Sequence, residues 1–191
     1  LASTHDVVVI CDEIHAPLSG AEHTPIHQVP GGQRAFVVTS ASKSWNLAGL
    51  KAGLIVPGAE VADVVKGLSG YVPESASYLG VVAHATALNE GRDWLAEAAA
   101  EIRENKQHFA DELHRAIPEL TYTPSQGTYL AWLDCSPLGL GHAGRHFFEK
   151  AKVRLGQGTD YAPSATQFVR VNLATSQEII SEAVRRMAAS L

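Results

Sequence analysis

Three short apolar runs mark the first third of the chain: Val7-Val-Val-Ile10, Ala35-Phe-Val-Val38 and Ala52-Gly-Leu-Ile-Val56. They are rich in β-branched residues and lack polar alternation, the pattern of strands buried on both faces. Strands are therefore predicted over residues 7–11, 35–39 and 52–56, the last closed by Pro57-Gly58. Pro17, Gly20, Pro25, Pro30, Gly31 and Gly32 punctuate the stretch between the first two and predict a loop over 16–33. After the third run the period changes. Glu60 to Leu68 has helical spacing, and residues 76–90 form a mostly apolar segment that reads as a second helix.

The clearest amphipathic pattern covers residues 92–117. Leu95, Ala98, Ile102, Phe109, Leu113 and Ile117 recur near one face, and Pro118 ends the helix. The remainder reads as a small α+β unit. Strands are predicted at Tyr129–Leu133 and Gln167–Asn172, with a helix over 143–151 between them. Thr175-Ser-Gln-Glu178 has the form of a capping box and opens a last helix expected to bury Ile179, Ile180, Ala183, Val184 and Met187.

Composition narrows the classes. In 191 residues, 46% are hydrophobic and 18% charged, as expected for a globular chain with a substantial core. Fifteen basic residues stand against 20 acidic ones, for a net charge of −5, with no basic stripe. Nucleic acid is thus not an expected partner. No apolar run approaches the ~20 residues of a membrane span. Cys11 and Cys135 make no disulfide framework, and together with the lack of a recognisable signal peptide they lead to an expected cytoplasmic location. The chain opens without Met, its only methionine being Met187, and is expected to be part of a longer protein.

The candidate chemistry lies where the first two strands end. The first runs into Cys11-Asp-Glu-Ile-His15, and the second into Thr39-Ser-Ala-Ser-Lys-Ser-Trp45. In open α/β sheets, ligands gather at the C-terminal ends of strands. A carboxylate at one such end and a hydroxyl-flanked lysine at the next suit a pyridoxal phosphate site. The lysine can form an imine with the cofactor aldehyde, the carboxylate can keep the pyridine nitrogen protonated, and hydroxyls can hold the phosphate. Taken singly, Asp12 is an ordinary turn residue and Lys43 an ordinary loop lysine. His23 and His27 have metal-ligand spacing but sit in a Pro/Gly-rich loop without supporting ligands, and no metal is expected there. Trp45 reads equally as pocket wall or core packer.

Asp12-Glu-Ile-His15, Ser40-Ala-Ser-Lys-Ser-Trp-Asn-Leu-Ala-Gly-Leu50 and Phe168-Val-Arg-Val-Asn-Leu-Ala174 resemble three motifs of the fold-type I pyridoxal phosphate superfamily, the aspartate aminotransferase fold. The nearest likeness is to its MalY/PatB cystathionine β-lyase group. The likeness spans nearly the whole chain but only the C-terminal half of a typical member. It implies an α/β fold: part of the large, mostly parallel cofactor-binding domain over 1–91, a long interdomain helix over 92–117, and a small α+β domain over 118–191. It implies Lys43 as Schiff-base lysine and proton carrier, and Asp12 as partner of the pyridinium nitrogen. Ser40, Ser42 and Lys51 would contact the phosphate, although many relatives carry arginine where Lys51 stands. His15 falls where many aminotransferases have a tyrosine bonded to the cofactor's phenolic oxygen. Arg170, in an otherwise apolar strand, would bind the substrate α-carboxylate; an internal salt bridge or an exposed strand face is its structural alternative. Tyr71 and Tyr78 fall in a region that approaches a neighbouring active site in dimeric members.

The expected activity is a carbon–sulfur β-lyase acting on cystathionine or a related cysteine S-conjugate, with a class I/II aminotransferase as the alternative. A third reading is an inactive remnant whose role is association. Ser40-Ala-Ser-Lys43 also matches the Ser-x-x-Lys of acyl-serine enzymes, but no Lys-Thr-Gly follows, and a strand rather than a helix precedes the serine. A sheet lacking most of its strands would leave apolar surface open. The chain is therefore expected to self-associate, as a homodimer or otherwise, and not to hold the cofactor tightly by itself.

Overall fold

The computed structural model describes residues 1–20 and 23–191. Strands β1 (Val9–Asp12), β2 (Ala35–Thr39) and β3 (Leu54–Pro57) form a three-stranded sheet in that order. β1 and β2 are parallel, with Asp12 opposite Val38, and β2 and β3 are antiparallel, with Thr39 opposite Leu54. The 16–33 stretch, of which residues 21 and 22 lie outside the described residues, is less irregular than its prolines and glycines suggest. It holds the one-turn helix α1 (Ala16–Ser19) and 3-10 turns at Ile26–Gln28 and Gly32–Arg34. Around the sheet stand α2 (Ala41–Ser44), α3 (Ala62–Lys66), α4 (Tyr71–Glu74) and α5 (Tyr78–Glu90). α5 starts where Ser77 Oγ accepts the Gly80 amide, a side-chain N-cap that satisfies an otherwise unpaired donor.

The burial expected of the first and third strands does not hold. Val7, Val8 and Ile10 are 53–69% exposed, and Leu54, Ile55 and Val56 are 40–44% exposed. Burial belongs to neighbours as much as to the residue itself, and nothing among the described residues covers these faces. α5 likewise exposes Leu79, Val81, Val82 and Leu88.

Helix α6 (Arg92–Ala116) spans about 37 Å at 1.5 Å per residue. The chain divides into two compact units, Leu1–Ala99 and Ala100–Leu191, with the boundary inside this helix. In the second unit β4 (Leu130–Asp134), β6 (Phe168–Asn172) and the short β5 (Gly156–Gln157) make an antiparallel sheet of order β4-β6-β5. Its inner face buries Ala131, Leu133, Val169 and Val171. Against them pack Phe109, Leu113 and Ile117 of α6, Phe147, and Ile180, Val184 and Met187 of α8 (Gln177–Ala188). Burying each large apolar side chain contributes about 1.5–3 kcal/mol. α7 (Ala143–His146) passes directly into a π turn at Phe147–Ala151, so the helix expected over 143–151 is present with a widened second half.

Two expectations for α8 need correction. Ser176, not Thr175, is the N-cap residue, and it accepts no side-chain cap bond. Ile179 is 59% exposed, because the buried stripe runs through Ile180, Val184 and Met187, a helical i, i+4, i+7 face that Ile179 just misses.

The buried stripe of α6 contains two polar residues, Asn105 and Lys106, exposed by only 1% and 2%. Asn105 Nδ2 donates to the carbonyls of Leu173 and Thr175, and Lys106 Nζ to those of Ser125 and Gly127. Since Leu130 pairs with Asn172, these two loops leave the same end of the sheet. Adjacent residues of one helix therefore hold both. Burial, with Arg103 adding repulsion, lowers the Lys106 pKa.

Candidate active site

The parallel register of β1 and β2 sets the site. Asp12 ends β1 opposite Val38, and β2 ends one residue later at Thr39. The next residue, Ser40, caps α2, the one-turn helix that carries Lys43. The Asp12 carboxylate and the Lys43 turn thus stand at the C-terminal ends of neighbouring parallel strands, about one strand spacing of 4.8 Å apart in backbone. Asp12 is exposed, and its Oδ1 accepts the Ile14 amide at 3.0 Å, a turn bond that fixes the carboxylate at the strand end. Lys43 is half-buried, and its amine makes no hydrogen bond or ion pair among the described residues.

Glu13, beside Asp12, points the other way and is 8% exposed. Its carboxylate accepts the Ile26 amide at 2.8 Å and lies 3.2 Å from His23 Nε2. Burial works to raise the Glu13 pKa, but the Ile26 hydrogen bond and the His23 contact outweigh it and hold it below the usual carboxylate range. His23 is therefore the partner of a structural carboxylate, while His27 donates Nε2–H to the Ala35 carbonyl. His15 stands at the N-terminus of α1, half-buried, three residues from Asp12 on the same turn.

Ser40 is engaged inward. Its hydroxyl accepts the Ser42 amide, donates to the Ala52 carbonyl at 2.6 Å and pairs with Ser42 Oγ. It therefore serves first as a helix cap. The bond to Ala52 brings the backbone of Lys51 beside the Ser40 turn. Lys51 itself is exposed and left-handed, with φ of 55°. Trp45 is a packer: its Nε1 donates to the Gly91 carbonyl at 2.8 Å, tying the turn to the end of α5. Tyr71 and Tyr78 are 82% and 80% exposed.

Arg170 belongs to the second unit and lies on the sheet face opposite the core. It sits across from Trp132 in register, and its guanidinium lies 5.0 Å from the Tyr161 ring centroid. Trp132 stacks on Phe168 and meets Tyr161 edge-on. Arg170 is half-buried there, and no carboxylate pairs with it among the described residues, so the internal salt bridge does not describe it. A groove of about 590 Å³ in this unit, floored by Val153, Val171, Ile180 and Met187, touches Arg170 but no residue of the Lys43 turn. Its size alone assigns it no chemistry.

The residues at the first sheet's end suit pyridoxal phosphate in kind: an amine with no hydrogen bond or ion pair among the described residues, an exposed carboxylate at the end of the neighbouring strand, hydroxyls on the lysine's own turn, and a cation, Lys51, after it. Sequence reading missed His84, whose imidazole reaches the same turn from α5. A lone histidine in an alanine-rich helix gives no motif, and its partner lies 43 residues away in sequence.

The chain is 34% identical to the cystathionine β-lyase of Corynebacterium glutamicum and 32% identical to the cystathionine β-lyase PatB of Bacillus subtilis, in both cases along its whole length. It spans about half the length of the curated relatives it matches, 52% and 51% in these two. In three dimensions it matches a Corynebacterium diphtheriae protein assigned as a pyridoxal phosphate-dependent β-cystathionase, with a TM-score of 0.93 and 36% identity. That match covers 99% of this chain and 52% of the other. The pyridoxal phosphate-bound C–S lyase of Staphylococcus hominis, 26% identical, gives a TM-score of 0.86 over 99% of this chain and 50% of the other. A profile of the family described as aminotransferase class I and II matches residues 1–187, which takes in both strand-end motifs and the Arg170 strand. By that match the chain belongs to the class I and II aminotransferase family.

Proposed function

We propose that this chain carries the lysine-bearing half of a pyridoxal 5′-phosphate-dependent carbon–sulfur β-lyase acting on a cysteine S-conjugate of the cystathionine kind. The observation that carries the reading is the β1–β2 register, which stands the Asp12 carboxylate beside the Lys43 turn. When bound, pyridoxal phosphate supplies an electron sink for the pair left at the substrate Cα. Lys43 would hold the cofactor through its amine and would carry the proton taken from the substrate Cα. Asp12 keeps the ring nitrogen protonated. His15 donates a hydrogen bond toward the phenolic oxygen. Ser40, Ser42 and Lys51 would contact the phosphate, with Ser40 also capping the Lys43 turn. Arg170 binds the substrate carboxylate, and loss of the Cβ–S bond releases a thiolate. In this reading residues 1–91 belong to the cofactor-binding domain, 118–191 to the smaller one, and 92–117 to the helix between them.

The relatives named cystathionine β-lyase favour this chemistry, and the family description keeps amino transfer as the second reading. The two share every residue above. Release of pyruvate and ammonia without a keto acid marks the lyase, and dependence on a keto-acid acceptor marks the aminotransferase. We further propose a cytoplasmic location, in keeping with two free cysteines, and self-association through the open apolar faces of the first unit. Among the described residues no helix is long and apolar enough to cross a membrane.

The deciding experiment is borohydride reduction with added pyridoxal phosphate, followed by peptide mass mapping. A stable adduct at Lys43, abolished in Lys43→Ala, is the expected result. An adduct spread over Lys51, Lys66 and Lys152 with none at Lys43 would sink the reading.

A further inference from the structure

We propose that His84 is a positioning residue for Lys43: its imidazole caps the Lys43 turn, and the α5 face around it sets where that turn lies. The proposal rests on the reading of Lys43 given above, though its geometry stands independently.

Gly80, His84, Ala87 and Gly91 recur at i, i+4, i+7 and i+11, one stripe of α5 and its C-cap. The Lys43 segment lies along it. At Gly80 a Cβ would come within 2.2 Å of the Leu50 carbonyl oxygen, so only glycine permits this approach. At the far end, Trp45 Nε1 bonds the Gly91 carbonyl, and a Cβ on Gly91 would stand 2.7 Å from that nitrogen. Between them His84, 6% exposed, accepts the Ala41 amide on Nε2 at 3.2 Å. Ala41 is the first residue of α2, and its N–H has no partner within so short a helix. With His84 in place, its ring and the Ser40–Ser42 turn, Leu50 and Gly80 leave no room for a water between them. Without the imidazole the buried Ala41 residue loses the acceptor for its amide.

The bond also fixes the protonation state. Nε2 must carry a lone pair, so the proton resides on Nδ1. A protonated ring presents a donor to a donor. Burial lowers the His84 pKa, in the same direction. The charged side chains borne by its own helix and by the two segments packed on it are Glu90, Lys43 and Lys51. None couples strongly enough to appear among the causes of the shift. Protonation of His84 therefore releases the turn as pH falls.

The test is amide hydrogen exchange on the cofactor-free chain, wild type against His84→Gln and His84→Leu, across pH 5–8 with correction for intrinsic rates. Glutamine places an acceptor oxygen near Nε2 that does not titrate in this range; leucine places none. Expected are exchange over residues 41–44 at least about tenfold faster in His84→Leu, near-wild-type exchange in His84→Gln, and unchanged exchange in α8. Wild type should also lose protection over 41–44 on acidification while His84→Gln keeps it. This contrast holds even if His84→Leu fails to fold. Equal pH profiles in wild type and His84→Gln, or a protected turn in folded His84→Leu, would overturn the proposal. Borohydride labelling run in parallel on the chain and on any longer form of it separates the two readings: label absent from Lys43 in both refutes the cofactor assignment and leaves the exchange result standing.

Discussion

Glu13 and Asp12 are adjacent carboxylates with opposite tasks, and the strand period separates them. Side chains alternate across a strand, so Asp12 faces outward at the strand end while Glu13 turns into the loop that His23 and Ile26 belong to. Because the folded pKa of Glu13 is depressed, its contribution to stability is fully present above its unfolded value of 4.5 and is lost as pH falls through the folded one. Glu13→Gln should cost about 1–3 kcal/mol in urea unfolding at pH 7 and flatten the acid limb of the stability profile. An unchanged acid limb would show that the carboxylate is not what holds the loop. The place of Asp12 at a strand end, and of the Lys43 turn just beyond the next one, was legible in the sequence because each follows a β-branched run. Glu13 and His84 were not. Their partners are 13 and 43 residues away in sequence, and no local pattern records a contact made across the fold.

At the scale of elements, periodicity located α6, β4, β6 and α8 closely, since each has a single buried face against one core. It did less well where a face has two kinds of neighbour. Asn105 and Lys106 fall between Ile102 and Phe109 on the buried stripe of α6, and their position there was a readable signal that the apolar count passed over. Their carbonyl partners lie in the loop before β4 and the loop after β6, which the two side chains hold. Lys106→Met keeps the stem and removes the donor. It should lower stability by about 1–3 kcal/mol and speed exchange in residues 125–128 ahead of the rest of the sheet. Uniform acceleration across β4 and β6 would instead mean that Lys106 matters only through packing. α5 shows the opposite limit. Its apolar residues surround the helix, so no periodic stripe stood out, and the face it uses is defined by two glycines, an alanine and a histidine.

For the molecule as a whole, the first and third runs read as buried strands are real strands with open faces. The sequence recorded a demand for cover that the described residues do not meet. Ile10, Leu54, Ile55 and Val56 on the sheet, with Val7 and Val8 just before it and Leu79, Val81 and Val82 on α5, offer more apolar surface than a solitary chain usually leaves in water. Sedimentation velocity should show concentration-dependent assembly, and Ile10→Glu with Val56→Lys should shift it toward the monomer. A wild-type chain that sediments as a monomer at all concentrations would refute this. β1 is an edge strand, and it is the strand that ends in Asp12. A strand that pairs along that edge would run about 5 Å from the Asp12 backbone, excluding water on one side and strengthening the charge interactions the carboxylate makes. Assembly and acidity then share one boundary: the neighbour that hides Ile10 also sets the dielectric in which Asp12 works.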